Sequence, residues 1–200
     1  GIALSADQKS LFVATSDDHT IKIFDTSSWK ESGRLPSGED PETFALSPDG
    51  KLMYVSNEDD SQVTVIDIAA KKAIKTIKVG VEPEGIAASA DGKWLVSASE
   101  TTNMLHWIDT QNWSIVENTL VDPRPRAASF TADSVELWAT SEMAGTVVVV
   151  DAASKQITHT IKLEVPGLNN DLIQPVGVLI DKNRRYAYVC LLYTSDAADE

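Results

Sequence analysis

Hydrophobic and polar positions alternate in short runs along the chain, and polar turns separate the runs where a helical protein would show a longer period. Gln62-Val63-Thr64-Val65-Ile66-Asp67 and Gly145-Thr146-Val147-Val148-Val149-Val150-Asp151 place apolar side chains on both sides of an extended strand. That pattern fits a sheet packed against neighbours on each face. One unit can be followed from Pro83 to Val121. It opens with Pro83-Glu84-Gly85-Ile86-Ala87-Ala88-Ser89 and turns at Ala90-Asp91-Gly92-Lys93, where Asp-Gly supplies the positive φ of a tight hairpin. Trp94–Ser99 is a second run, Glu100–Asn103 a polar turn, Met104–Asp109 a third run and Ser114–Val121 a fourth.

This unit repeats. Asp25, Asp67, Asp109 and Asp151 stand 42 residues apart, and Asp7, Asp49, Asp91 and Asp133 keep the same interval. Four short strands per unit at a period of about 40 to 45 residues predict the blades of a β-propeller. The expected fold is all-β, with four-stranded antiparallel blades covering residues 1–36, 41–79, 83–121 and 125–163, and a further blade starting at 175–189. The opening proline recurs at Pro41, Pro83, Pro125 and Pro175, so the last interval is 50 residues and holds an 8-residue insertion. Asn183 then takes the place of the turn aspartate. The insertion falls within 163–174, between blades, and is expected to project over a face of the ring.

About four and a half blades of an expected seven are present. Gly1 lies inside a first strand, which reads as a truncation or processing point. Residues 190–200, Cys190-Leu191-Leu192-Tyr193-Thr194-Ser195-Asp196-Ala197-Ala198-Asp199-Glu200, resemble a translated sequencing-library adaptor, and fold reasoning stops at Val189. A partial arc is expected to leave two apolar faces in water and to make this chain unstable or self-associating. The formal net charge is −13, to which the tail contributes three acids and no base. An acidic surface argues against nucleic acid, which rewards basic patches. No membrane-spanning run occurs. The one cysteine, Cys190, lies in the tail, and a cysteine-free domain is compatible with an oxidising compartment.

The string Pro48-Asp49-Gly50-Lys51-Leu52-Met53-Tyr54-Val55-Ser56-Asn57, followed by Val63-Thr64-Val65-Ile66-Asp67, resembles the YVTN family of β-propeller repeats. Longer strings, among them Val79-Gly80-Val81-Glu82-Pro83-Glu84-Gly85, Ser99-Glu100-Thr101-Thr102-Asn103-Met104, His106-Trp107-Ile108-Asp109, Arg124-Pro125-Arg126 and Leu172-Ile173-Gln174-Pro175-Val176-Gly177-Val178, are similar to the propeller proteins associated with PQQ-dependent catabolism. The resemblance implies a bacterial, periplasmic protein of seven blades, made with a signal sequence and working beside quinoprotein alcohol dehydrogenases. It does not imply quinone binding, because the repeat is not the tryptophan-docking repeat of those dehydrogenases. The five tryptophans share no single repeat phase, although Trp29 and Trp113 do.

Propellers work at one end of the central channel, where loops entering the first strand meet loops between the second and third. The first set supplies Glu42, Glu84 and Arg126, together with Arg124 beside the repeated proline, and Val176 in the last unit. The second set supplies Glu58, Glu100 and Glu142 at equal spacing, with Ser16 in the first blade. Arg124 and Arg126 among carboxylates suit a polar or metal-associated ligand. The three glutamates serve equally well as turn caps or inter-blade ion pairs. His19, His106 and His159 do not share a repeat position, so they form no symmetric metal ring. His19 reads as a turn residue and His159 as a surface residue. His106 is either a site residue or packing beside Trp107.

No nucleophile elbow, phosphate loop, CxxC pair or HExxH motif is present. A binding or accessory role is therefore expected ahead of catalysis, with no cofactor beyond an optional divalent cation. Expected partners are a small polar ligand or a periplasmic quinoprotein dehydrogenase or cytochrome, steered by the negative charge. The alternative is a lactonase-like hydrolase in which Glu100 is the base and a metal ion activates water.

Overall fold

The computed structural model describes residues 1–192. The adaptor-like stretch from Tyr193 onward lies outside the described residues, while Cys190 and Leu191 end the last strand. Ile2–Leu4 (β1), Ser10–Thr15 (β2), Thr20–Asp25 (β3) and Glu31–Pro36 (β4) form the first sheet. Pro41–Leu46 (β5), Leu52–Asn57 (β6), Gln62–Asp67 (β7) and Lys72–Lys78 (β8) form the second. Pro83–Ala88 (β9), Trp94–Ser99 (β10), Met104–Asp109 (β11) and Ser114–Leu120 (β12) follow, then Pro125–Phe130 (β13), Glu136–Ser141 (β14), Thr146–Asp151 (β15) and Ile157–Lys162 (β16). Pro175–Ile180 (β17) and Ala187–Leu191 (β18) pair as a fifth, two-stranded sheet. Every pairing is antiparallel between chain neighbours. This is the all-β propeller architecture that the repeat predicts.

The blades meet face to face, and each hydrophobic core is an interface between two of them. Phe12, Ile21, Ile23 and Leu35 of the first blade pack on Met53, Val55 and Ile66 of the second. Tyr54, Val63 and Val65 on the opposite side of the second blade pack on Ile86, Leu95 and Ile108 of the third. Val96, Leu105 and Trp107 then meet Leu137, Val148 and Val150 of the fourth. Successive residues on the middle strands thus serve different interfaces, because side chains alternate across a strand. The inner strands β5, β9, β13 and β17 lie side by side around the axis, whereas the outermost β16 is exposed along its length.

Both aspartate ladders close turns. Asp49 Oδ1 accepts from the Ser47 hydroxyl at 2.7 Å and the Lys51 amide at 3.1 Å, and Asp91 and Asp133 do the same in the next two blades. Asp25, Asp67, Asp109 and Asp151 each accept a backbone N–H two or three residues on. Gly50 and Gly92 supply positive φ at the 1–2 turn. In the fifth blade Asn183 occupies the aspartate's place, but the acceptor work moves to Asp181, which takes the amides of Arg185 and Tyr186. Trp29 and Trp113 share a phase because, with Lys71 and Lys155, they fill the left-handed position of the 3–4 turn.

The insertion folds back on the ring. A short 3-10 turn, Asn170–Leu172, is capped by Asn169, and Ile173 is buried behind it. A Cβ on Gly145, in the 2–3 loop of the fourth blade, would stand 2.9 Å from the Ile173 carbonyl oxygen.

Candidate functional site

Three sets of equivalent positions build the channel mouth. The residue before the opening proline of the second, third and fourth blades, Asp40, Glu82 or Arg124, has φ of 46°, 56° and 63° respectively, a left-handed geometry that costs a non-glycine residue energy. It persists because the surrounding hydrogen bonds fix it. The carbonyls of Asp40, Glu82 and Arg124 accept the amides of Glu58, Glu100 and Glu142 at 2.9 to 3.0 Å. The Asp40 amide donates to His19 Nδ1, and the Arg124 amide to Asn103 Oδ1. His19 is thus a turn residue that braces the next blade, and His159 is an exposed residue of β16.

The second set comes from a bulge. Pairing in the second, third and fourth blades slips by one residue just after the proline, so Glu42, Glu84 and Arg126 lie where two residues oppose one. Bulges of this kind re-aim a side chain. The Ala127 amide freed by the bulge donates to Thr140 Oγ1, and the Thr43 amide to Ser56 Oγ. Ser56 also donates to the Glu84 carbonyl oxygen at 2.6 Å, which ties the second blade to the third.

The third set, Glu58, Glu100 and Glu142, follows β6, β10 and β14. Sequence spacing makes these three equivalent, yet the structure treats them differently. Arg124 Nε lies 2.8 Å from Glu100 and 3.4 Å from Glu142, and Arg126 contacts Glu84 at 2.8 Å, Glu142 at 3.5 Å and also Glu100. Glu84, Glu100, Glu142, Arg124 and Arg126 therefore converge as one network spanning two blades, with the three carboxylates buried. Both oxygens of Glu100 are taken by guanidinium groups. Glu58 joins no ion pair among the described residues. The reason is legible in the repeat: the next blade offers Glu100 two arginines, at 124 and 126, but offers Glu58 two acids, at 82 and 84.

The charges respond accordingly. Burial pushes the Glu58 carboxyl up to about 7, with Glu42, Asp40, Glu100 and Glu82 adding repulsion. Burial also raises Glu84, and Arg126 offsets only part of that effect. Burial works against the positive charge of Arg126, but Glu84 and Glu100 outweigh it and hold the guanidinium firmly charged. One carboxylate oxygen each from Asp40, Glu42 and Glu58 can gather within 4.8 Å, a donor set that suits a hard cation. Asp40 and Glu82 are mouth residues that strand periodicity alone does not reveal. Their shared position with Arg124, one residue before the recurring proline, is the signal that identifies them.

His106 stands apart from this network. Its Nε2 accepts from the Gly80 amide at 2.9 Å, which places the proton on Nδ1, and Nδ1 donates to Asn118 Oδ1 at 2.6 Å. Burial lowers its pKa, partly offset by Asn118. The side chain is a neutral buried link between blades.

An open cleft of about 450 Å³ lies between the third and fourth blades at this end, bordered by Glu82, Glu100, Thr101, Asn103, Arg124 and Met143. A radial array of four-stranded sheets defines a β-propeller. The chain belongs to the YNCE-like beta-propeller family, whose model matches residues 2–178. Among solved structures it is similar to the Kuenenia stuttgartiensis Hydrazine Synthase, at 28% identity and a TM-score of 0.87 over 98% of this chain. The match spans 58% of that chain. No curated protein matches this sequence.

Proposed function

We propose that the protein is a recognition propeller whose acidic mouth receives a cationic group, as an accessory protein in the bacterial periplasm beside PQQ-dependent alcohol oxidation. The observation that carries the recognition reading is the unequal pairing of the mouth. Both arginines pair with buried glutamates, while the carboxylates of Asp40, Glu42 and Glu58 cluster with no cationic side chain paired to them among the described residues. An unneutralised acidic rim attracts basic partners and speeds their encounter at low salt. The periplasmic and PQQ-associated parts of the reading rest on the longer sequence strings around Glu82–Gly85, Ser99–Met104 and Leu172–Val178. Titrating the protein with a basic c-type cytochrome at low and high salt tests the reading. Binding that weakens steeply with salt and is lost in the Asp40→Asn/Glu42→Gln/Glu58→Gln variant is expected; binding that ignores both salt and these changes overturns it.

A second reading, metal-assisted lactone hydrolysis, is favoured by the same three carboxylates, which could hold a divalent ion able to activate water. Glu100 does not suit the role of base, since each of its oxygens is occupied by a guanidinium. Glu58, gathered with Asp40 and Glu42, would serve as a ligand of that ion, with the metal-bound water as the nucleophile. Lactone turnover that needs calcium and disappears in Glu58→Gln would select this reading over simple recognition.

A further inference from the structure

We infer that the cleft between Glu82 and Arg124 binds a small zwitterion, an aminocarboxylate, with its carboxylate on Arg124 and its ammonium group on Glu82. The inference rests on the reading of the mouth as a recognition surface and names the class of ligand it takes.

Arg124 is held from behind. Its Nε donates to Glu100 at 2.8 Å and lies near Glu142, whereas Nη1 and Nη2 have no hydrogen-bond acceptor among the described residues. The side chain is 45% exposed on the cleft. A guanidinium anchored through Nε presents its planar outer edge as a fork that matches a carboxylate. The buried glutamates that hold Arg124 also fix the direction of that fork. Beside it, Asn103 spends its Oδ1 on the Arg124 amide, so Nδ2 is left as a further donor without a protein acceptor among the described residues.

The opposite wall carries the complementary charge. Glu82 occupies the repeat position that Arg124 occupies one blade later, with the same left-handed backbone. Its Oε2 accepts from the Thr101 hydroxyl, and no cationic side chain pairs with it among the described residues. Met143, 72% exposed, gives the border an apolar edge. The volume of about 450 Å³ falls in the range of small-molecule sites.

The surroundings select against simpler ions. A plain anion on Arg124 meets repulsion from Glu82, Glu100 and Glu142, and a plain cation on Glu82 leaves the guanidinium fork without a partner. A molecule carrying both charges satisfies both walls and adds no net charge to the mouth. Carboxylate recognition by the fork depends on paired N–H groups in one plane, which lysine lacks.

The test is calorimetric titration of the full chain with L-2-aminobutyrate, 4-aminobutyrate, butyrate and propylammonium. At least one zwitterion is expected to bind roughly tenfold or more tightly than either half-ligand. Arg124→Lys keeps the charge that Glu100 requires, and is expected to weaken the zwitterion by about tenfold without changing propylammonium binding. Glu82→Gln, whose side chain takes no part in the buried ion pairs, is expected to weaken the zwitterion and propylammonium alike. The absence of saturable binding by both zwitterions overturns the inference, as does propylammonium binding as tightly as either of them. If that happens while the basic cytochrome still binds in a salt-dependent way, the mouth remains a recognition surface and only the zwitterion assignment falls.

Discussion

Arg126 stands 2.8 Å from Glu84, a carboxylate contributed by the preceding blade, and the same guanidinium reaches Glu100 and Glu142. One cation therefore answers three buried acids. Replacing it with Met leaves those acids with only Arg124, and removing one partner of a buried pair costs about 3 to 5 kcal/mol. Urea unfolding of Arg126→Met should show that loss, and Arg126→Met combined with Glu84→Gln and Glu142→Gln should recover much of it. An unchanged midpoint in the single variant would mean that water already screens the network.

Glu58 makes stability depend on pH in the opposite sense to a salt-bridged acid. Its folded pKa of about 7 lies above the ordinary value of 4.5, so between those values the folded state holds a proton that the unfolded state has released. Stability from this group is complete below about pH 4.5 and falls as pH rises through about 7. Glu58→Gln should therefore be more stable than the parent at pH 8 and no different at pH 4, measured by urea midpoints across the range. Identical pH profiles would show that the carboxyl titrates normally.

Gly85 allows the third and fourth blades to approach at the mouth. A Cβ there would stand 2.7 Å from the Arg126 carbonyl oxygen and 2.9 Å from Ala127 Cα, both backbone atoms that cannot swing aside. Gly85→Ala is expected to lower the melting midpoint and to weaken ligand binding by displacing the Arg126 bulge. A melt and an affinity equal to those of the parent would show that the blades can separate freely.

Trp107 is fully buried, donates its indole N–H to Thr119 at 3.0 Å and meets the rings of Trp94 and Phe130 edge-on. Trp107→Ala should cost about 3 to 5 kcal/mol in urea unfolding. Trp29→Ala, at an exposed turn, should cost far less.

Ile2 and Leu4 at one end of the arc, and Leu179, Tyr186 and Tyr188 at the other, are exposed. Exposed apolar faces of this kind favour association. Sedimentation of the 200-residue chain should show species larger than a monomer, growing with concentration, and a monodisperse monomer at all concentrations would contradict it.

The repeat made the blades legible because proline, aspartate and glycine each have one backbone reason to recur. Alternating Val and Ile then placed the sheets. The convergence of Glu84, Glu100, Glu142, Arg124 and Arg126 was likewise readable, since equivalent loops must share an axis. The division of labour was harder to see. Glu58 differs from Glu100 only through what stands in the following blade, a comparison across repeats and across strand edges at once. The sequence leaves His106 open between a site role and packing beside Trp107; its two ring nitrogens are spent on Gly80 and Asn118, partners 26 and 12 residues away. Asp181 took over a turn from the aligned Asn183 because a carboxylate two positions earlier reaches the same amides.

The left-handed residue ahead of Pro41, Pro83 and Pro125 holds one backbone shape whether it is Asp40, Glu82 or Arg124. Fold and rim charge are therefore separately heritable at these sites. A codon change there swaps an acid for a base on the rim while the sheets beneath keep their register, so the charge of the rim can change without the chain relearning how to fold.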